Sequence, residues 1–442
     1  SCEDLSSATN ASWSQVGDDV IGYADAHSYF GTSVSLSDDG TRLAVGQPRS
    51  GCFQHINVEC SGRVRVFELQ SGSWVQMGSD IIGTLFDSAG KSVALSGDGK
   101  CLAVGSPLHS PGATESTGPG SQGPLYGSGR VSVYYWDTAV SEWSLLDDHI
   151  MSHSAINMAA GCTGFCGDLD KFGWVVSLSY DGSTLAIGAR GTSCGSGCGA
   201  SYVKVYKLHP GTLVWHALAG ISDPGATMLP FVHNTDANIA VSPDGNRVAV
   251  ITGDLRIFDI VSGGWSQHGG SDLSGGGGGG HSTSISQDGS IVSFAGGDRF
   301  YCWLKVFRYD GDGWGQMGAT IREQNSDFSC SIRTSLSNDG LSIVVRLAWQ
   351  DTNWDGGYIP PTVILRRWDP SSSSWTFVDG TLLKEQVEGQ DYGSEVSLAG
   401  NVTRLAVGSP YYTTTTRNAG RVRVFDYGVA SPAAPSPAAG AP

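Results

Sequence analysis

The residues of this 442-residue chain whose types and spacing could do chemistry are its ten cysteines, its ten histidines and a recurring set of aspartates. The cysteines are Cys2, Cys52, Cys60, Cys101, Cys162, Cys166, Cys194, Cys198, Cys302 and Cys330. An even number, placed mostly between apolar runs, reads as disulfides formed in an oxidising compartment. Cys52 and Cys60 share one loop and are expected to pair, as are Cys302 and Cys330, which stand where adjacent repeats meet. Cys162, Cys166, Cys194 and Cys198 cluster in a pattern that leaves their pairing open, and Cys2 and Cys101 remain. Zinc held by the clustered four is the competing reading, but the usual two-residue ligand interval is missing.

The aspartates offer less. Asp38, Asp39, Asp98, Asp181, Asp244, Asp288 and Asp339 all sit at or beside a glycine, where carboxylates serve turns. Glycoside cleavage needs facing carboxyl groups about 5 to 10 Å apart, and no acidic position repeats on the apolar runs. His149 and His153 are four apart in a strand-end loop, a spacing that brings no ligands together there. The glycines from Gly275 to Gly280 lack the lysine and helix of a phosphate loop and read as a connector. No residue set argues for catalysis or for a required cofactor.

What must position these groups is a phrase repeated seven times, cleanest as Val34-Ser-Leu-Ser-Asp-Asp-Gly-Thr-Arg-Leu-Ala-Val-Gly46. Each copy reads as strand, two-residue Asp-Gly turn, strand. The turn glycines are taken as Gly40, Gly99, Gly182, Gly245, Gly289, Gly340 and Gly400. A third strand like Gly62-Arg-Val-Arg-Val-Phe67 follows every copy, but a fourth strand like that from Trp74 follows only six, from Trp74, Trp143, Trp215, Trp265, Trp314 and Trp375. The missing one stands at the other end of the chain, Trp13-Ser-Gln-Val-Gly-Asp-Asp-Val-Ile-Gly22. The expectation is an all-β, seven-bladed β-propeller of four-stranded blades, its last blade closed by the N-terminal strand. Residues 1–11 form a lead, 12–427 the propeller and 428–442 an extended Pro/Ala/Ser-rich tail.

Blade topology puts the short turns on one face and the long second-to-third and blade-to-blade connections on the other. Phe53, Tyr126, Trp349, Trp354, Tyr358, Tyr411 and Tyr412 lie in those long connections and are candidate binding aromatics. The fourth-strand tryptophans recur too regularly for a sugar-stacking set and are expected to pack blade on blade. The innermost strands would line the axis with small residues, among them Ser33, Ser35, Ala94, Ser177, Ser335 and Ser397.

A formal charge of −16 excludes a nucleic-acid partner, and no apolar run of about 18 residues exists to span a membrane. Asn10-Ala-Ser12 and Asn401-Val-Thr403 are N-glycosylation sequons. With the cysteines they lead to the expectation of an extracellular protein whose signal peptide has been removed.

Tyr29-Phe-Gly-Thr-Ser-Val34, Asp170-Lys-Phe-Gly-Trp-Val175 and Asp391-Tyr-Gly-Ser-Glu-Val396, with Leu-Ala-Val-Gly-(Ser/Gln)-Pro after the turn, resemble FG-GAP-type propeller repeats of integrin α heads and microbial surface proteins. That resemblance implies calcium in acidic loops, and Asp168 and Asp170 are the nearest match; as residues alone they read as turn caps. The tail Ser-Pro-Ala-Ala-Pro-Ser-Pro resembles hydroxyproline-rich glycoprotein modules, which implies sugars at Pro432, Pro435 and Pro437 beside Ser431 and Ser436. Thr413, Thr414, Thr415 and Thr416 form a second O-glycan candidate. The expected role is a structural or adhesive building block of an extracellular filament, appendage or matrix, partnered by itself, by matrix proteins and by glycans. A carbohydrate-binding lectin and, behind it, a glycan-processing hydrolase are the rivals.

Overall fold

The computed structural model describes residues 11–23, 27–51, 60–110, 127–152, 171–190, 202–220, 238–261, 264–270, 272–275, 279–297, 301–324, 328–351, 359–378, 383–384, 395–413 and 416–429. The described strands form seven separate sheets, whose main strands run from the innermost outward in chain sequence in all but the seventh. The first blade is Ser33–Leu36, Arg42–Gln47, Arg63–Gln70 and Ser73–Gln76. Every innermost strand packs against those of both flanking blades, and Ser33–Leu36 meets Val396–Leu398 to close the ring. The seventh blade takes its outer strand from the start of the chain: Ala11–Gln15 runs antiparallel to Arg421–Val429, with Trp13 opposite Tyr427. This is the expected seven-bladed propeller with its N-terminal closure.

The hairpins are longer than the two-residue turns read from Asp-Gly. Ser37 N–H donates to the Arg42 carbonyl at 3.0 Å and Gly40 N–H to the Ser37 carbonyl at 2.8 Å, so four residues form the loop. Only the glycine is left-handed, with φ 68°. The aspartate's task is a side-chain clip: Asp39 Oδ1 accepts from Ser37 Oγ at 2.6 Å and from Thr41 N–H at 2.9 Å. Asp98, Asp181, Asp244, Asp288 and Asp339 repeat that clip. In the seventh blade Asn401 takes the aspartate's place, accepting from Thr403 N–H and Oγ at 3.0 and 2.6 Å. Its left-handed residue is therefore Val402 (φ 64°) rather than Gly400.

The motif glycine at the end of the second strand has a separate cause. A Cβ on Gly46 would lie 2.0 Å from the Gly90 carbonyl oxygen, so the next blade's lead-in segment can approach only a bare backbone. The buried Phe30 and Phe172 of the Phe-Gly motif sit in those segments and bridge to Gly420 and Gly129 of the preceding blades. The outer tryptophans pack blade on blade as expected. Trp74 Nε1 donates to Val16 O at 3.1 Å and Trp375 Nε1 to Met317 O at 3.1 Å, each across to the preceding blade. The glycine run is not all connector. Gly279 opens the innermost strand Gly279–Ile285, and a Cβ on Gly280 would meet Ile251 and Phe294 at 2.6 Å.

Candidate functional site

The axis is built from hydroxyls that are already engaged. Ser35 Oγ accepts from Leu95 N–H at 2.9 Å, Ser177 Oγ from Val241 N–H at 2.9 Å, and Ser335 Oγ from Leu398 N–H at 3.0 Å. Ser397 Oγ accepts from Leu36 N–H at 3.0 Å, carrying the pattern across the ring closure. Ser33 and Ser92 donate to the carbonyls of Gly90 and Gly173 in the next blade, both at 2.9 Å. The axial serines therefore latch the first blade to the second, the second to the third, the third to the fourth, the sixth to the seventh and the seventh to the first.

The strongest polar constellation among the described residues lies in the second blade, where the repeat breaks its own pattern. In the seventh and first blades the arginine opening the third strand pairs with an aspartate of the outer strand: Arg421 with Asp19 at 2.9 Å and Arg63 with Asp80 at 3.3 Å. Strand register puts His149 at that aspartate's position in the second blade. Its arginine, Arg130, turns instead to the fully buried Asp87. Asp87 also accepts from Thr84 N–H at 2.7 Å and Thr84 Oγ at 2.9 Å, and His109 Nδ1 lies 2.7 Å from its Oδ1. Burying a carboxylate is costly unless it is paired and hydrogen-bonded, and Asp87 meets that requirement with these donors.

The same blade makes a second exchange. Arg65 and Arg423 occupy a third-strand position at which the second blade has Ser132. His149 fills the space this leaves, its Nδ1 2.7 Å from Ser132 Oγ. Burial, then the charges of Arg130 and His109, hold the His149 imidazole below its ordinary value. A hydroxyl beside a neutral imidazole has the make-up of a nucleophile and its base, but Ser132 is 3% exposed on a middle strand, out of reach of a substrate. The constellation fixes the segment between Thr84 and Lys91, which connects the first blade to the second.

That segment presents Lys91 to the third blade. Lys91 Nζ and Arg190 Cζ each lie 4.7 Å from the ring centroid of Trp174. A break in register between Phe172 and Val175 throws Trp174 out of the ladder.

Of the residues singled out in the sequence, Cys302 and Cys330 form a disulfide joining the fifth and sixth blades. Cys60 is disulfide-bonded. Cys101 is a free thiol, which corrects its reading as a disulfide cysteine. It lies at the start of a second strand over Gly182, half-buried, and burial beside Asp98 and Asp181 pushes its pKa up to about 11. Asn401 is exposed at its turn, and Thr413 donates to the Tyr411 carbonyl at 3.4 Å. Thr416 is also described. Tyr411 packs edge-on against Tyr29 at 5.0 Å, and Tyr412 lies under the Arg421 guanidinium at 3.8 Å. Trp349 belongs to the strand Ser342–Asp351. Cys2, Cys52, Cys162, Cys166, Cys194, Cys198, Asn10, Asp168, Asp170, Phe53, Tyr126, Trp354, Tyr358, Thr414, Thr415, Ser431, Pro432, Pro435, Ser436 and Pro437 lie outside the described residues.

Sequence reasoning missed Asp87, His109, Arg130 and Trp174. The available signal was the departure of the second repeat from its neighbours at His149 and Ser132. Among the described residues no group of three or more His, Cys, Asp or Glu could hold a metal ion, and no helix is long and apolar enough to cross a membrane.

The fold and its latched axis define a seven-bladed β-propeller. No family model matches the chain, and no curated protein matches it. Among solved structures it is similar to the β-propeller domain of Cps50 (Swd1) from Myceliophteria thermophila, with TM-score 0.52 and 11% identity over 93% of this chain and 99% of that one. A provisionally assigned 6-phosphogluconolactonase from Bacteroides uniformis aligns with TM-score 0.49 and 11% identity over 80% of this chain and 85% of that one. At such identities the likeness shows the fold alone.

Proposed function

We propose that this chain is a non-catalytic extracellular propeller that serves as a structural or adhesive building block, assembling with copies of itself or with matrix components. The observation that carries the reading is the engagement of the axial hydroxyls. Ser35, Ser177, Ser335 and Ser397 spend their oxygens on inter-blade hydrogen bonds, so the place where propeller enzymes gather reactive groups is here a seam. The Cys302–Cys330 bond between blades suits an oxidising compartment. The FG-GAP-like motifs, the two sequons and the proline-rich tail are consistent with a glycosylated surface protein. Calcium at Asp168 and Asp170 belongs to the same proposal. In the second blade the counterpart of Asp170, Asp87, takes the Arg130 guanidinium as its cation.

Light scattering across a concentration series, followed by electron microscopy of the concentrated protein, tests the reading. Ordered fibres or sheets are expected. Discs that stay monomeric at high concentration, or turnover of a glycan substrate, would remove it.

A further inference from the structure

We infer that the rim of the propeller carries two unlike arcs, and that one docks onto the other of a second copy of this chain. The first arc is apolar and acidic and lies on the seventh, first and second blades; the second is cationic and lies on the fifth and sixth. The inference rests on the assembly reading and deepens it by naming the contact.

Five blades end their outer edge in a short extra piece of strand: Val20–Ile21, Ile81–Ile82, Ile150–Met151, Ile321–Gln324 and Leu383–Lys384. Register against the third strands makes these pieces equivalent. Their first residue is apolar in all five, and Val20 and Ile81 are buried. The second residue is where the blades part. Ile21 is 44% exposed, Ile82 58% and Met151 36%. The same register position holds Arg322, which is exposed, in the fifth blade and Lys384 in the sixth. A position that fills no core is thus apolar on three consecutive blades and cationic on two others.

Charge follows the same division. Asp18 and Asp148, both exposed, stand three residues before Ile21 and Met151. The first blade has Ser79 at that place, and Glu142 of the second brings a carboxylate to it, accepting from Ser79 N–H at 2.7 Å and Ser79 Oγ at 2.9 Å. Carboxylates therefore border the apolar row, the make-up of an interaction surface. The corresponding residue of the fifth blade is the uncharged Ala319. Arg322 there lies 5.8 Å from the Tyr301 ring centroid, and the neighbouring Glu323 is paired with Arg366 at 3.4 Å. Carboxylates beside one arc and cations on the other are complementary, so a second copy supplies the matching surface. A contact between two different arcs is head-to-tail and continues past a pair.

Sedimentation velocity of the full chain across a concentration series tests the contact. Wild type is compared with Ile21→Ser/Ile82→Ser/Met151→Ser and with Arg322→Ser/Lys384→Ser, with melting temperatures as folding controls. Ile82→Asp, at the most exposed of the three apolar residues, gives a second measure of that arc. Wild type should associate beyond a dimer, and each variant alone should need about tenfold or more higher concentration to do so. Mixed one to one, the triple and double variants should form a pair and stop there, because each keeps the arc that the other has lost. Added salt should weaken the wild-type contact. Wild type that assembles while the variants assemble as readily, or variants that fail to pair when mixed, overturns this contact and leaves the assembly reading standing. Wild type that stays monomeric removes both.

Discussion

Asn338 Nδ2 donates a 2.6 Å hydrogen bond to Asp38 Oδ2 across 300 residues of chain, joining the sixth blade to the first past the seventh. The seventh blade permits this because it has Gly400 in between, where a Cβ would stand 2.3 Å from Asn338 Nδ2. Burial raises the Asp38 carboxyl above its ordinary value while the amide bond opposes that rise. Gly400→Ala should therefore cost about 1 to 2 kcal/mol by thermal unfolding, through the lost bond to a half-buried carboxyl. In an Asn338→Ala background the same substitution should cost much less. Additive losses in that double-mutant cycle would show that the glycine does not serve the bridge.

Asp87 is the most committed carboxylate among the described residues. Removing it with Asp87→Ala leaves Arg130 and His109 facing each other in a buried space, and should destabilise the protein by about 3 kcal/mol or more. Denaturant unfolding checks this, and a loss under about 1 kcal/mol would mean that the cluster is not closed to solvent.

His149 should give stability a pH dependence of its own. Its folded pKa lies below the ordinary 6.5, so the unfolded chain binds the proton more readily. Stability is then fully present above 6.5 and falls as pH drops from there through the folded value. Melting temperatures recorded from pH 8 to about 5 should show that slope, and His149→Gln should flatten it. The carboxylates whose values are lowered, such as Asp39 and Asp181, act from their ordinary 3.8 downward and do not overlap this window.

Tyr206 is 5% exposed, its hydroxyl has no hydrogen-bond partner among the described residues, and burial drives its pKa up. Phe67, Phe258, Phe307 and Phe425 occupy the same register position in other blades. Tyr206→Phe should therefore stabilise the protein by about 1 kcal/mol. A lower melting temperature for this variant would reveal a partner for the hydroxyl.

Deleting residues 1–22 removes the strand paired with Arg421–Val429 and bares that edge. The shortened chain should aggregate at concentrations where the full chain stays dispersed, as judged by size-exclusion chromatography.

The architecture was legible because each blade restates the same apolar alternation, Asp-Gly clip and tryptophan, and because one outer strand was missing at one end and present at the other. Turn detail was less so. Asp-Gly suggested a two-residue hairpin, whereas the side-chain clip of Asp39 favours a wider loop with one left-handed residue. Gly400 was misread because Asn401 imitates the aspartate and moves the left-handed position to Val402. The Asp87 constellation draws on three segments far apart in sequence, so no local spacing announces it. Only a strict alignment of repeats would have marked His149 and Ser132 as out of place. Cys101 was assigned to a disulfide by arithmetic, whereas its thiol fills a packing position over Gly182.

The pairing of Ala11–Gln15 with Arg421–Val429 means that a strand made before the first blade finds its place only after the seventh has been made. While the blades between them are synthesised, that strand has no partner and the ring stays open. Closure waits for Arg421–Val429, so maturation is set by an encounter between segments far apart in the chain rather than by local folding. A cell making this protein must shield that strand until the seventh blade is made.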